Sequence, residues 1–257
     1  MLPETEGGVL TPLDTFIPKF NNECRNSYFM ALDPRFKAVA FDMDGTFMDT
    51  TVDYVKLLNV VFDELIASGV PESAIIRSGG ALSELKSGLE WLRKNGGQDD
   101  ADVVFGRISD RTTNVEMEHA DSSKPFDGAV EVLDLLRRKG YKTGIITRGG
   151  RSYAEYVLKI NDVWHMFDAI VARDDFPESE AKPSPMAMVN LGNAIGLKAN
   201  EILFLGDHKT DWLTARDSGA GFYGVLSGRL SVADWKKADE NIAILNTVKD
   251  LLEIIQN

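Results

Sequence analysis

The sequence predicts an α/β fold, a doubly wound parallel sheet carrying an inserted block of helices, and three observations lead there. A short apolar run, Lys37-Ala38-Val39-Ala40-Phe41, stops abruptly at Asp42-Met43-Asp44-Gly45-Thr46, as a buried strand stops at a polar turn. From Phe126 onward, short apolar strands alternate with amphipathic helical stretches, the pattern that builds a parallel sheet with helices on its faces. Between Thr50 and Lys124 the periodicity is helical, with no convincing strand.

Taken in order, residues 1–36 form an irregular arm in which Pro3, Pro12, Pro18 and Pro34 prevent a long helix, while Phe16, Phe20, Tyr28 and Phe29 suggest packing onto something. The first strand follows at 37–41. Val52, Val55, Leu58, Val61, Phe62 and Leu65 recur at helical spacing until Gly69 and Pro71. Leu82, Leu85, Leu89 and Leu92 mark a second helix ended by Asn95-Gly96-Gly97. Val103, Val104, Ile108 and Met117 mark a third. Val130, Leu133, Leu135 and Leu136 then form a helix face ending at Lys139-Gly140, and Tyr141 to Ile146 is a strand. Ser152 with Glu155 reads as a capping box opening the next helix. Further strands lie at 169–171, 202–205 and 222–225. Met186, Val189 and Leu191 occupy a helix between two of them, the methionines as core filler. The domain reading is an arm over 1–36, a core over 37–50 and 125–257, and a helical cap over 51–124.

Composition narrows the function. The 257 residues are 44% hydrophobic, ample for one large domain or a core plus a smaller one. A formal net charge of −12 argues against a nucleic-acid surface and against anchoring on anionic lipid. An anionic substrate then needs a locally positive cleft, with any metal counted in. The single cysteine, Cys24, allows no intramolecular disulfide and reads as structural or incidental. Met1 to Glu6 lacks the basic and apolar segments of a signal peptide, and no apolar run approaches the roughly 20 residues of a membrane span. The expectation is a soluble, cytoplasmic protein.

The chemistry gathers at strand ends. Asp42 and Asp44, two residues apart in extended chain, leave the first strand on one side. Gly45 permits a sharp turn and Thr46 adds a hydroxyl. Alone, such a pair is either a metal-assisted phosphoryl site or a solvated acidic turn. Three further segments fall at strand ends or in the loops after them: Thr147-Arg148-Gly149-Gly150, Lys182-Pro183-Ser184-Pro185, and Gly206-Asp207-His208-Lys209-Thr210-Asp211. In doubly wound sheets ligands bind beyond the carboxyl ends of the strands.

On these residues the chain resembles the haloacid dehalogenase (HAD) superfamily, in the branch whose helical cap is inserted just after the first motif. Asp42-x-Asp44-Gly45-Thr46 corresponds to the first motif, Thr147 to the second, Lys182 to the third, and Gly206-Asp207-x-x-x-Asp211 to the fourth. Pro125-Phe126-Asp127-Gly128-Ala129, Lys182-Pro183-x-Pro185 and Ala215-x-x-x-Gly219-Ala220 strengthen the likeness, which spans 37–257.

The resemblance implies a HAD-like Rossmannoid core and a set of roles. Asp42 would be the nucleophile, forming an aspartyl-phosphate. Asp44 would protonate the leaving oxygen and then deprotonate water. Lys182 would neutralise Asp42 and the phosphoryl oxygens. Thr147 and the Arg148 backbone N–H would bind the phosphoryl group. Mg²⁺ would be held by Asp42, the Asp44 backbone carbonyl and Asp207, with Asp211 and Thr46 behind them. Asp211 is also placed to cap a helix. Two departures stand out. Arg148 replaces a frequent Asn and contacts the phosphate or faces solvent. His208 replaces Ser or Thr, and is a metal ligand or, better in keeping with the oxygen preference of Mg²⁺, a loop residue. His119 and His165 form no ligand spacing with it.

The presence of Asp44 argues against carbon–halogen cleavage, whose leaving group needs no proton, and for phosphate esters. The loop Ile75 to Leu82 resembles the family's substrate-specificity loop, where Arg77 either meets a substrate carboxylate or second phosphate or is solvated. A helical lid favours small-molecule esters (phosphoglycolate, sugar phosphates or nucleotides) over phosphoproteins, and the subgroup most resembled is phosphoglycolate phosphatase. A β-phosphoglucomutase-like phosphomutase shares all four motifs, and a non-catalytic binding module would ordinarily have lost one of these Asp residues. The oligomeric state is unreadable.

Overall fold

The computed structural model describes residues 31–257, with backbone alone at residues 98 and 99. The expected packing of Phe16, Phe20, Tyr28 and Phe29, and the reading of Cys24, lie outside the described residues. At the end of the arm, Leu32 and Phe36 are buried in the core.

Strand β1 (Ala38–Phe41) is wholly buried, consistent with its continuous apolar sequence. After the Asp42–Thr46 turn, β2 (Met48–Asp49) pairs antiparallel with β3 (Lys124–Pro125). Three helices lie between them: α1 (Tyr54–Ala67), α2 (Ala81–Asn95) and α3 (Gln98–Met117). Asp53 caps α1, its carboxylate accepting the N–H groups of Val55 and Lys56 at 3.1 and 2.9 Å. The chain continues through α4 (Ala129–Arg138), β4 (Lys142–Ile146), α5 (Arg151–Ile160), β5 (Ala169–Val171), α6 (Met186–Ile195), β6 (Ile202–Gly206), α7 (Lys209–Ser218) and β7 (Gly221–Val225). It closes with α8 (Val232–Ala238), β8 (Ala243–Leu245) and α9 (Leu251–Gln256).

Six strands form one parallel sheet in the order β5-β4-β1-β6-β7-β8. The chain builds outward from β1 to β5 on one side, then returns to β6 and builds outward on the other. The order therefore reverses beside β1, the place where crevices open beyond the strand ends. Register levels those ends: Phe41 stands opposite Ile145 on one side and Leu205 on the other. Alternation divides the buried side chains between the two faces. Val39, Phe41, Leu203 and Leu205 pack with α4, α5 and α9, whereas Ala38, Ala40, Ile202 and Phe204 pack with α6 and α7. The helical insertion has its own cluster, centred on Val61, Leu65, Leu85, Leu89, Val104 and Ile108.

Several local expectations are corrected. Helix α5 starts at Arg151, one residue before the supposed cap, and Ser152 makes no capping bond. Its first N–H groups are instead satisfied from afar: Gly150 donates to Glu116 Oε2 at 3.0 Å and Arg151 to Asp174 Oδ1 at 2.7 Å. Val130 and Met186 are exposed; α4 buries Val132, Leu133 and Leu136, and α6 buries Met188 and Leu191. The β2–β3 ribbon escaped notice because two-residue strands carry no period and Pro125 reads as a loop. Among the described residues no helix is long and apolar enough to cross a membrane.

Candidate active site

Asp42 is the first residue beyond β1, and its backbone N–H still bonds to the Leu205 carbonyl at 2.8 Å, which fixes it level with the end of β6. Its side chain is 6% exposed. Lys182 reaches it from the loop before α6, beyond a cis Lys182–Pro183 peptide bond. The Lys182 ammonium, 2% exposed, donates to Asp42 Oδ1 and, at 2.7 Å, to Asp211 Oδ1. Asp211 is fully buried in the first turn of α7, and its other oxygen accepts the His208 N–H at 2.9 Å. It thus closes the first turn of α7 and holds the lysine at once.

One oxygen from each of Asp42, Asp207 and Asp211 lies within 4.8 Å of the others, a grouping able to hold a cation. Gly45 and Gly228 make this approach possible. Gly45 adopts φ +84°, and a Cβ there would lie 2.7 Å from Asp207 Oδ2; a Cβ on Gly228 would lie 1.8 Å from the same atom. Burial raises the Asp42 carboxyl well above its ordinary value against the pull of Lys182, with Asp211, Asp207 and Asp44 adding to the rise. Asp207 is pushed up to about 7 by burial and by Asp211. Burial works against the Lys182 ammonium, but Asp211 and Asp42 outweigh it and raise its pKa. Three carboxylates around one ammonium leave an excess of negative charge when all are ionised. An all-oxygen donor set with that excess fits a hard divalent cation.

The Asp44 side chain turns away from this group. Tyr153, in the first turn of α5, donates its hydroxyl to Asp44 Oδ1 at 2.7 Å, and the Thr147 hydroxyl lies 3.5 Å from Oδ2. Burial raises the Asp44 carboxyl, while hydrogen bonds from Tyr153 and Thr50, the charge of Lys182 and a bond from Thr147 pull it back. A buried carboxyl with a raised pKa, held in one rotamer, suits proton donation. Thr147 Oγ1 also accepts the Gly149 N–H at 2.8 Å, curling the loop beyond β4. Thr46 is fully buried, its hydroxyl without a partner among the described residues.

The remaining candidates sit elsewhere. The Arg148 side chain is 25% exposed. Its Nη1 donates to the Lys182 carbonyl at 2.9 Å and stands 3.5 Å from the buried Glu178, so it fastens the Thr147 loop to the Lys182 loop. Arg77 pairs with the buried Glu84, Nε to Oε1 3.3 Å, and lies over the Phe62 ring at 4.1 Å, within the helical insertion. His208 is the N-cap of α7, its Nδ1 accepting the Thr210 N–H at 3.3 Å, and is absent from the carboxylate group. His165 lies 3.6 Å from Asp162 on the surface.

Three contributors were not foreseen. Tyr153 belongs to none of the motifs, yet the first turn of a helix that follows a strand end points back toward that end. Ser227 donates to the Gly45 carbonyl at 2.7 Å, and with Gly228 packs the loop after β7 onto the Asp42–Thr46 turn. Strand-end reasoning applied to β7 would have found this loop. The third is a buried ion pair joining the insertion to the core: Arg173 Nη1 to Glu116 Oε1, 2.7 Å. Arg173 also donates to the Arg148 carbonyl at 2.8 Å and to Thr113 Oγ1 at 2.8 Å.

Comparison with known proteins agrees with this architecture. The family profile described as haloacid dehalogenase-like hydrolase matches residues 39–225. Phosphoglycolate phosphatase of Haemophilus influenzae is 24% identical over 214 residues, spanning 79% of this chain and 95% of that protein. N-acetylmuramic acid 6-phosphate phosphatase of Pseudomonas aeruginosa is 26% identical over 231 residues, spanning 86% of this chain and 95% of its own length. The crystal structure of a hydrolase from Pseudomonas syringae superposes with a TM-score of 0.61 at 25% identity, covering 86% of this chain and 98% of that one. With its parallel sheet, its helical insertion and its carboxylates gathered beyond β1 and β6, the chain belongs to the haloacid dehalogenase-like hydrolases.

Proposed function

We propose that this hydrolase is a Mg²⁺-dependent phosphatase of small-molecule phosphate monoesters, with phosphoglycolate-like or sugar phosphate substrates, acting in the cytoplasm. The observation that carries the reading is the pairing of two differently held carboxylates: Asp42 on the Lys182 ammonium, and Asp44 on the Tyr153 hydroxyl. Asp42 attacks phosphorus. Its oxygen–phosphorus bond forms as the ester bond breaks, and Asp44 passes its proton to the departing oxygen. Asp44, now ionised, takes a proton from water as that water attacks phosphorus and releases phosphate and Asp42. Lys182 balances charge on Asp42 and the phosphoryl oxygens throughout. The Thr147 hydroxyl and the Arg148 N–H bind the phosphoryl group.

Asp42, the Asp44 backbone carbonyl and Asp207 would hold the Mg²⁺, with Asp211 behind them. When bound, it supplies positive charge beside the phosphoryl oxygens. The helices of 51–124 act as a lid over the core of 37–50 and 125–257, excluding water from the site and limiting substrate size. Phosphate release from a panel of small esters, with and without Mg²⁺, tests the reading. Mg²⁺-dependent release abolished by Asp42→Asn is the expected result. Isomerised product dependent on a bisphosphate activator would indicate a phosphomutase, and no turnover by well-folded protein would overturn hydrolysis.

A further inference from the structure

Arginines near the site are almost all committed to carboxylates: Arg77 to Glu84, Arg148 to Glu178, Arg151 to Asp175 and Arg173 to Glu116. Arg229 differs, having no carboxylate partner among the described residues despite the protein's excess of acids. It follows Ser227 and Gly228, the two residues packed on the Asp42–Thr46 turn and Asp207, so its backbone is anchored to the floor of the site. Its guanidinium carbon lies 4.3 Å from the centroid of the Tyr54 ring, at the start of α1. An arginine stacked on a ring gives up its face and keeps its N–H donors free in the plane, the edge that grips an oxyanion with two bonds.

Arg229 and Tyr54 bound a cleft of about 460 Å³ whose other walls include Val52, Leu57, Leu58 and Ala81. Tyr54 and Val55 are 46% and 70% exposed, apolar surface that a bound molecule would cover. The cleft's Arg229 edge is tied to the Asp42–Thr46 turn and to Asp207 through Ser227 and Gly228. Burial raises the Tyr54 hydroxyl, and Asp44, Asp42 and Asp207 raise it further, which places that hydroxyl within their field. A phosphoryl group at Asp42 would therefore direct the rest of its molecule past Tyr54 toward Arg229, along apolar walls that strengthen any charge pairing there.

We propose that Arg229 is the specificity determinant for a second anionic group on the substrate, a carboxylate or a second phosphate, so that the preferred esters carry charge at both ends. The assignment deepens the phosphatase reading and rests on it. It also moves the role weighed for Arg77 to a residue of the core.

The test separates recognition from turnover. In an Asp42→Asn background, calorimetry compares the binding of 2-phosphoglycolate, ethane-1,2-diol bisphosphate and ethyl phosphate with and without Arg229→Gln. The expected result is that Arg229→Gln weakens one or both doubly anionic esters, relative to ethyl phosphate, by roughly 10- to 100-fold, the range for losing a hydrogen bond between charged groups. Whichever loses more names the second group. Equal weakening of all three esters, or no weakening, overturns the proposal. Turnover by the unmutated protein is measured separately: discrimination lost with Arg229 in a protein that hydrolyses neither these three nor any other ester of the panel, sugar phosphates included, supports the anion subsite while removing the phosphatase reading. In an active enzyme, Arg229→Gln should raise KM for the doubly charged ester much more than it lowers kcat.

Discussion

Replacing Arg173 by Met would remove one half of the buried link between the helical insertion and the core. Arg173 and Glu116 have side-chain exposures of 7% and 5%. Arg173 makes bonds to both Glu116 oxygens (2.7 and 3.3 Å), to the Arg148 carbonyl (2.8 Å), to Thr113 Oγ1 (2.8 Å), and to the hydroxyl and carbonyl of Ser109 (3.2 and 3.1 Å). Deleting one partner of such a pair costs about 3–5 kcal/mol, because the other charge stays buried. Burial already raises the Glu116 carboxyl against the opposing effect of Arg173, so protonation limits the loss to the lower end, about 3 kcal/mol. At roughly 2–4 °C per kcal/mol for a chain of this size, Tm falls by about 6–12 °C. The double variant Arg173→Met, Glu116→Met removes both charges and should lose less than Arg173→Met alone. Urea unfolding followed by circular dichroism and by tryptophan fluorescence measures both; Trp91 reports on the insertion and Trp235 on the core. A loss below about 1 kcal/mol for Arg173→Met, or single losses that simply add in the double variant, would refute the reasoning.

Other expectations follow from the site. Tyr153→Phe frees the Asp44 carboxylate from its 2.7 Å bond and should lower kcat roughly 10- to 100-fold with little change in KM, read by steady-state kinetics. Gly228→Ala drives a methyl group into Asp207 and should weaken Mg²⁺ binding by about tenfold or more in calorimetry. Because Asp207 is pushed up to about 7 from 3.8, its ionised form is less favourable folded than unfolded. That penalty is absent well below pH 3.8 and full above about 7. Mg²⁺ relieves it, so the rise in Tm on adding saturating Mg²⁺ should be greater at about pH 8 than at about pH 5.5. Glu64 has the opposite sign, its carboxyl lowered by hydrogen bonds from Arg107 and Arg111. Its contribution is present above its ordinary value of 4.5 and lost as pH falls through the lowered one, so Glu64→Gln should destabilise the insertion at neutral pH and much less in acid, by circular dichroism.

The parallel sheet was legible because fully buried strands announce themselves as apolar runs, and because alternation of strand and helix leaves few topologies. The carboxylates and Lys182 were legible for a related reason: a parallel sheet carries residues far apart in sequence to one edge, so polar residues at strand ends are expected to meet. Three of the residues that escaped notice share one cause. Tyr153, Arg173 and Glu116 act through partners on other elements, and nothing local distinguishes a buried ion pair from two surface charges. Arg148 and Arg77 illustrate the converse, for their chemistry suits an anion, and nothing in the sequence shows that Glu178 and Glu84 pair with them. Arg229 sits beyond β7 at the same edge and needed only the rule already applied to β1, β4 and β6. The missing edge strand β8 is three residues long, too short for a period to register.

The central claim is that Asp42 carries the phosphoryl group during turnover. Acid quenching of the protein during hydrolysis of its best ester, followed by peptide mass spectrometry, examines that directly. A phosphoryl group on the peptide containing Asp42, absent from Asp42→Asn, is the result the account requires. Full turnover by Asp42→Asn, or the phosphoryl group on another residue, would contradict it.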